Sequence, residues 1–142
     1  MTATKLDVHA ALAAVLADMP GIGKDGRNQA QGFNYRGIDQ VTAALKPVLV
    51  AHGVIIVPRA EEAETSDYTS KSGALMHRVM LRVGYRIYGP DGSHIEAASY
   101  GEGTDSGDKA TSKAMTMAFK YLLFELLCIA DPEDDADKHS PE

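Results

Sequence analysis

The residues best suited to chemistry lie in one alternating run, ALMHRVMLRVGYRIYG at 74–89. In an extended strand successive side chains point to opposite sides. One side then carries Leu75, His77, Val79, Leu81, Val83, Tyr85 and Ile87. The other carries Met76, Arg78, Met80, Arg82, Gly84, Arg86 and Tyr88. Arg78, Arg82 and Arg86 therefore form a row, each about 13 Å from the next at roughly 3.3 Å per residue. That is about two steps of an extended sugar–phosphate backbone, and no acid interrupts the run. Such a row can track a single-stranded polynucleotide. It can equally be an ordinary solvated face.

A second basic row is Lys109, Lys113, Thr116 and Lys120, which share one stripe of a helix. It begins at the helix N-terminus, where free N–H groups and the dipole favour an anion. The small residues of Gly103-Thr104-Asp105-Ser106-Gly107 precede it. Asp105 and Asp108 oppose phosphate contact there unless they point away or position the lysines. A third group is Gly32-Phe33-Asn34-Tyr35-Arg36-Gly37, with Lys24 and Arg27 nearby. Tyr35 and Arg36 offer stacking and a cation. The alternative is that Phe33 and Tyr35 anchor the loop in the core.

These groups need elements to hold them. Helical spacing of Leu6, Ala10, Ala13, Leu16 and Ala17 predicts a first helix over about 5–19, stopped by Pro20-Gly21. Residues 20–37 form a long Gly- and Asn-rich loop, and loops of that length are often functional. Ile38, Val41, Leu45, Val48 and Leu49 predict a second helix over 38–52, with a kink at Pro47 and Gly53 as its C-terminal cap. Strands are expected at 54–64, 74–89 and 93–103, the last two joined by a turn at Gly89-Pro90-Asp91-Gly92. A last helix spans about 108–128, capped by Ser106 or Asp108 and apolar nearly all round in its second half. This order gives an α+β fold: two helices, then a three-stranded antiparallel sheet packed by a long C-terminal helix.

With 142 residues the prior is one domain. We assign 1–130 to it and 131–142 to an acidic, disordered tail. The tail holds six acids against Lys138, so only one unit of the formal charge of −6 falls on the rest of the chain. A basic face is thus possible if charges segregate, and the tail could compete with nucleic acid for it. The lone Cys128, inside an apolar run, reads as a reduced core thiol. It excludes disulfide frameworks and Cys-based zinc sites. No apolar run approaches the roughly 20 residues of a membrane span. The N-terminal alanine stretch, broken by Asp7, His9 and Asp18, is a poor secretory signal. The expected location is the cytoplasm.

Enzymatic readings fit less well. Gly21-Ile22-Gly23-Lys24-Asp25 lacks the first glycine and the Ser or Thr of a phosphate loop. Gly101-x-Gly103-x-x-Ser106 lacks a glycine and the βαβ setting of a dinucleotide site. The five histidines have no metal-ligand spacing. The best enzyme alternative is a Mg²⁺-dependent nuclease using Glu102, Asp105, Asp108 and Lys109. Asp105 and Asp108 are better explained as turn and cap residues.

FNYRGIDQVTAALKPVLVAHGVIIV and the later GEGTDSGDKATSKAMTMAFKYLLFELLCI together resemble the essential recombination function (ERF) family of phage single-strand annealing proteins, over roughly residues 5–130. Tyr35, Arg36, Asp108, Lys109, Lys113, Lys120 and Tyr121 stand at motif positions. The resemblance implies a β-β-β-α core of the Rad52 type. It also implies ATP-independent annealing of single-stranded DNA with no cofactor and no catalytic residue, and homo-oligomeric rings or filaments. A single-strand-binding protein or exonuclease of host or phage is a further partner it allows, in the cytoplasm of a bacterial host. From the two basic rows and the aromatic segment, the expected DNA-binding residues are Tyr35, Arg36, Arg78, Arg82, Arg86, Lys109, Lys113 and Lys120.

Overall fold

The computed structural model describes residues 4–20 and 37–129. The loop with Tyr35 and Arg36, and the acidic tail, lie outside the described residues. Chain order is α1 (Val8–Asp18), α2 (Ile38–His52), β1 (Ile55–Thr69), β2 (Leu75–Tyr88), β3 (His94–Asp105) and α3 (Ala110–Leu126). The strands form one antiparallel sheet in the order β1-β2-β3, so the expected α+β architecture holds.

α1 starts later than its apolar spacing predicts, because Asp7 caps it by accepting from the Ala10 N–H at 2.8 Å. α2 runs through Pro47 and ends on Gly53 at φ 67°, the left-handed conformation glycine tolerates best. β1 extends five residues past the predicted end at Glu64. TSDYTSKSG reads locally as a turn, but the turn proper is confined to 70–74, where Gly73 N–H bonds Ser70 O at 2.9 Å. Residues 65–69 pair with 75–79 and become strand. The β2–β3 turn forms at 89–92 as expected, with Gly92 N–H to Gly89 O at 3.1 Å. Asp91 braces it by accepting from the Ser93 hydroxyl and N–H, which lower its pKa. The Ser93 hydroxyl in turn accepts from the Val8 N–H, tying the turn to α1.

α3 lies across β3 and β2. Ala110, Ala114 and Ala118 bury against the sheet. Gly101 and Gly103 face them: a Cβ on Gly101 would stand 2.0 Å from the Ala114 carbonyl oxygen, and one on Gly103 2.2 Å from that of Ala110. The G-x-G of β3 is therefore a seat for helix backbone. Val79, Leu81, Val83 and Tyr85 of β2 complete this part of the core. A second part gathers Val8, Val15, Val41, Leu45, Ile87 and Leu123 where α1 and α2 meet the end of α3.

Cys128 is exposed, contrary to the buried thiol expected from its apolar neighbours. It is the left-handed residue that terminates α3, at φ 58°. Its N–H bonds Glu125 O and the Ile129 N–H bonds Phe124 O, the paired bonds of a Schellman closure. That turn sends Ile129 to the core and Cys128 outward.

Candidate nucleic-acid interface

β2 divides its side chains as alternation requires. Val79, Leu81, Val83, Tyr85 and Ile87 are buried on the α3 side. Met76, Arg78, Met80, Arg82, Gly84, Arg86 and Tyr88 face away from the helix, on an open sheet face. The arginine row therefore exists as read. Its surroundings differ from the sequence reading, because cross-strand register brings acids to it from both sides. Arg78 Nε lies 3.0 Å from Glu102, Arg82 Nη1 2.7 Å from Glu61, and Arg86 Nη2 3.0 Å from Glu96. Arg86 also donates to the Tyr88 hydroxyl, and this bond and the Glu96 carboxylate raise its pKa. Arg78 stands over the Tyr68 ring at 5.1 Å.

The Glu61 contact depends on a bulge. Register shifts between Ala60 and Glu62, so one extra residue enters β1 opposite Arg82. The Glu61 carboxylate then lies over Gly84, where a Cβ would meet it at 2.4 Å. Around it runs an open groove of about 480 Å³, lined by Val57, Arg59, Arg82, Arg86, Tyr88 and Ala98 among others. Gly84 and Ala98 are cross-strand partners and give the groove its low floor. Tyr100, 60% exposed, follows Ala98 on the same side of β3. Arg59, Glu61 and Tyr100 carry no local sequence signal that marks them as part of this face. Alternation puts Tyr100 only on the same side as Ala98, and nothing local reveals the bulge.

The lysine row belongs to the other side of the sheet. Lys113 Nζ donates to the Thr104 carbonyl at 3.1 Å and to Asp105 Oδ1 at 2.8 Å. Lys120 stands over the Phe124 ring at 5.7 Å, and Lys109 is exposed. The arginine and lysine rows share no groove within one protomer: the sheet itself separates them. Asp105 replaces Ser106 and Asp108 as the residue that closes the start of α3, its Oδ2 accepting from the Gly107 and Lys109 N–H groups. The Lys113 ammonium, with those two N–H groups, holds its pKa at about 2.

The nuclease grouping is not assembled. Glu102 pairs with Met80 and points to the open face, whereas Asp105 pairs with His77 on the helix side. Glu102 is held by Arg78 and Asp105 by Lys113. Among the described residues no three His, Cys, Asp or Glu side chains gather in a metal-binding group, and no helix is long and apolar enough to cross a membrane.

No curated protein and no solved structure matches the chain. Residues 8–142 match the family model of the ERF superfamily. With that match over nearly its whole length, the chain belongs to the ERF superfamily.

Proposed function

We propose that this protein binds single-stranded DNA and promotes pairing of complementary strands without ATP or covalent chemistry. The family match over 8–142 carries the reading. The open sheet face supports it at the level of residues. Arg78, Arg82 and Arg86 are spaced along β2 for an extended backbone, and each holds a solvent-exposed carboxylate. Exposed ion pairs are worth about 0–1 kcal/mol, so a phosphate can replace the carboxylate at little cost. Arginine then binds the phosphate through its planar fork.

The two rows lie on opposite sides of the sheet within one protomer. A channel combining the arginines with Lys109, Lys113 and Lys120 requires them from different protomers, which fits a homo-oligomeric ring or filament. Tyr35 and Arg36, which precede α2 in sequence, would contribute stacking and charge to the same strand. Residues 1–130 would form the annealing domain and 131–142 an acidic appendage. Loading by a single-strand-binding protein or an exonuclease in the bacterial cytoplasm suits this role.

Labelled complementary oligonucleotides incubated with the protein, with and without Mg²⁺, test the proposal when pairing and fragment length are followed together. Faster pairing of full-length strands without Mg²⁺ or ATP is the expected result. Mg²⁺-dependent shortening would instead mark a nuclease. Absence of any strand retention would leave a purely structural oligomer.

A further inference from the structure

We infer that the groove over Gly84 and Ala98 is a seat for one nucleotide of the bound strand, and that the Glu61 carboxylate occupies the place of its phosphate until the strand arrives. The inference rests on the single-strand-binding reading and names its central contact.

Three independent features meet at this point. First, the bulge at Ala60/Glu62 inserts the residue whose carboxylate reaches Arg82. Bulges commonly re-aim a side chain beside a functional site. Second, Gly84 provides the space: a Cβ there would meet the Glu61 carboxylate at 2.4 Å, so a larger residue would push that flexible carboxylate aside. An anionic group is thus seated directly over backbone, against a guanidinium, in the middle of the sheet. Third, Arg59 lines the same groove, and among the described residues it has no carboxylate partner. Of the charged side chains that line the groove, three are arginines and two, Glu61 and Glu96, are acids, with Glu62 standing across from Arg82 on the same face. Its volume of about 480 Å³ suits a small ligand or a nucleotide.

The base has a surface beside the seat. Tyr100 is exposed on the same face and two residues from Ala98 on β3. A large aromatic left in solvent on a sheet face gives every base a π-surface, which is sequence-tolerant. A phosphate on Arg82 and Arg59 with a base on Tyr100 is an arrangement that grips backbone and stack but leaves pairing edges open. Displacement of Glu61 makes binding reversible: when the strand leaves, the carboxylate returns to Arg82 and no buried charge is stranded. An annealing protein needs that exchange, since it must release a paired product.

The test uses the full chain and a labelled homopyrimidine oligonucleotide, with affinity measured across a salt series. Glu61→Gln is expected to tighten binding severalfold. Its slope of log affinity against log salt should change by less than about 0.7, the increment for one neutralised phosphate on a single strand, because Arg82 takes the same phosphate in both proteins. Arg59→Ala should flatten the slope by about that whole increment. Tyr100→Ala should weaken binding by roughly tenfold or more with the slope unchanged, and Tyr100→Phe should restore it. Thermal melts of each variant separate these effects from misfolding. If wild-type protein binds and anneals while Glu61→Gln and Arg59→Ala leave affinity and slope at wild-type values, the seat is overturned and the annealing reading stands. If wild-type protein retains no oligonucleotide, both fall.

Discussion

Arg82 and Val83 are adjacent in the chain and live under opposite rules. Val83 is 2% exposed beneath α3, while Arg82 sits on the open face against a carboxylate. The helix side of the sheet is built by contact so close that two glycines are needed where helix backbone touches strand backbone. The open side is built by charges that can be exchanged. The difference predicts that substitutions on the helix side govern whether the protein folds, and those on the open side govern what it binds.

The sharpest way to break that contrast is Gly101→Val. Its Cβ would enter the space of the Ala114 carbonyl oxygen and the Ala118 N–H. Neither is the flexible end of a side chain, so α3 must lift from β3. Overpacking costs of roughly 3 kcal/mol or more follow, and the melting temperature should fall by ~12 °C or more. Circular dichroism melts measure this directly. A variant melting within a few degrees of wild type would mean that α3 is not seated as described.

How much of this contrast is legible before folding depends on the range of each signal. Alternation along 74–89 divides Val79, Leu81, Val83, Tyr85 and Ile87 from Arg78, Arg82 and Arg86, because period and burial are local properties of a strand. The same alternation says nothing about which side chains stand opposite. Glu61, Glu96 and Glu102 come from other strands, and Glu61 reaches its arginine only through a bulge. Absence of acids from β2 therefore did not mean absence of acids from its face. Gly101 and Gly103 look like a fragment of a dinucleotide fingerprint in sequence; only the Ala110, Ala114 and Ala118 stripe packed against them reveals their use. Cys128 departs from its apolar setting for a related reason. Composition around it is apolar, but a helix-ending turn reverses the direction of one side chain.

Asp105, at the end of β3 on the helix side, offers a pH test. Lys113 and the Gly107 and Lys109 N–H groups stabilise its carboxylate, so its pKa falls from 3.8 to about 2. A group ionised to lower pH in the folded protein than in the unfolded chain contributes stability that is complete above its ordinary pKa. That contribution disappears as pH falls through the folded value. The stabilising effect should therefore be intact at neutral pH and vanish between about pH 4 and pH 2. Asp105→Asn removes it at all pH values. The gap in melting temperature between wild type and Asp105→Asn should be widest near neutrality and close toward pH 2. A gap that does not vary with pH would show that the charge on Asp105 is not what holds the start of α3.

The smallest expected effect is on the open face and is the most informative about function. Arg82 and Glu61 are both about one-third exposed, so their ion pair exchanges with solvent and salt. A double-mutant cycle of Arg82→Ala and Glu61→Ala should give a coupling of about 0.5 kcal/mol or less in unfolding. A weak coupling is what a displaceable carboxylate requires, because a phosphate must overcome it to reach Arg82. A coupling of ~2 kcal/mol or more would make the pair a structural clamp of the kind expected for a buried network. Glu61 could not then yield its place, and the arginine row would belong with the scaffold on the other side of the sheet.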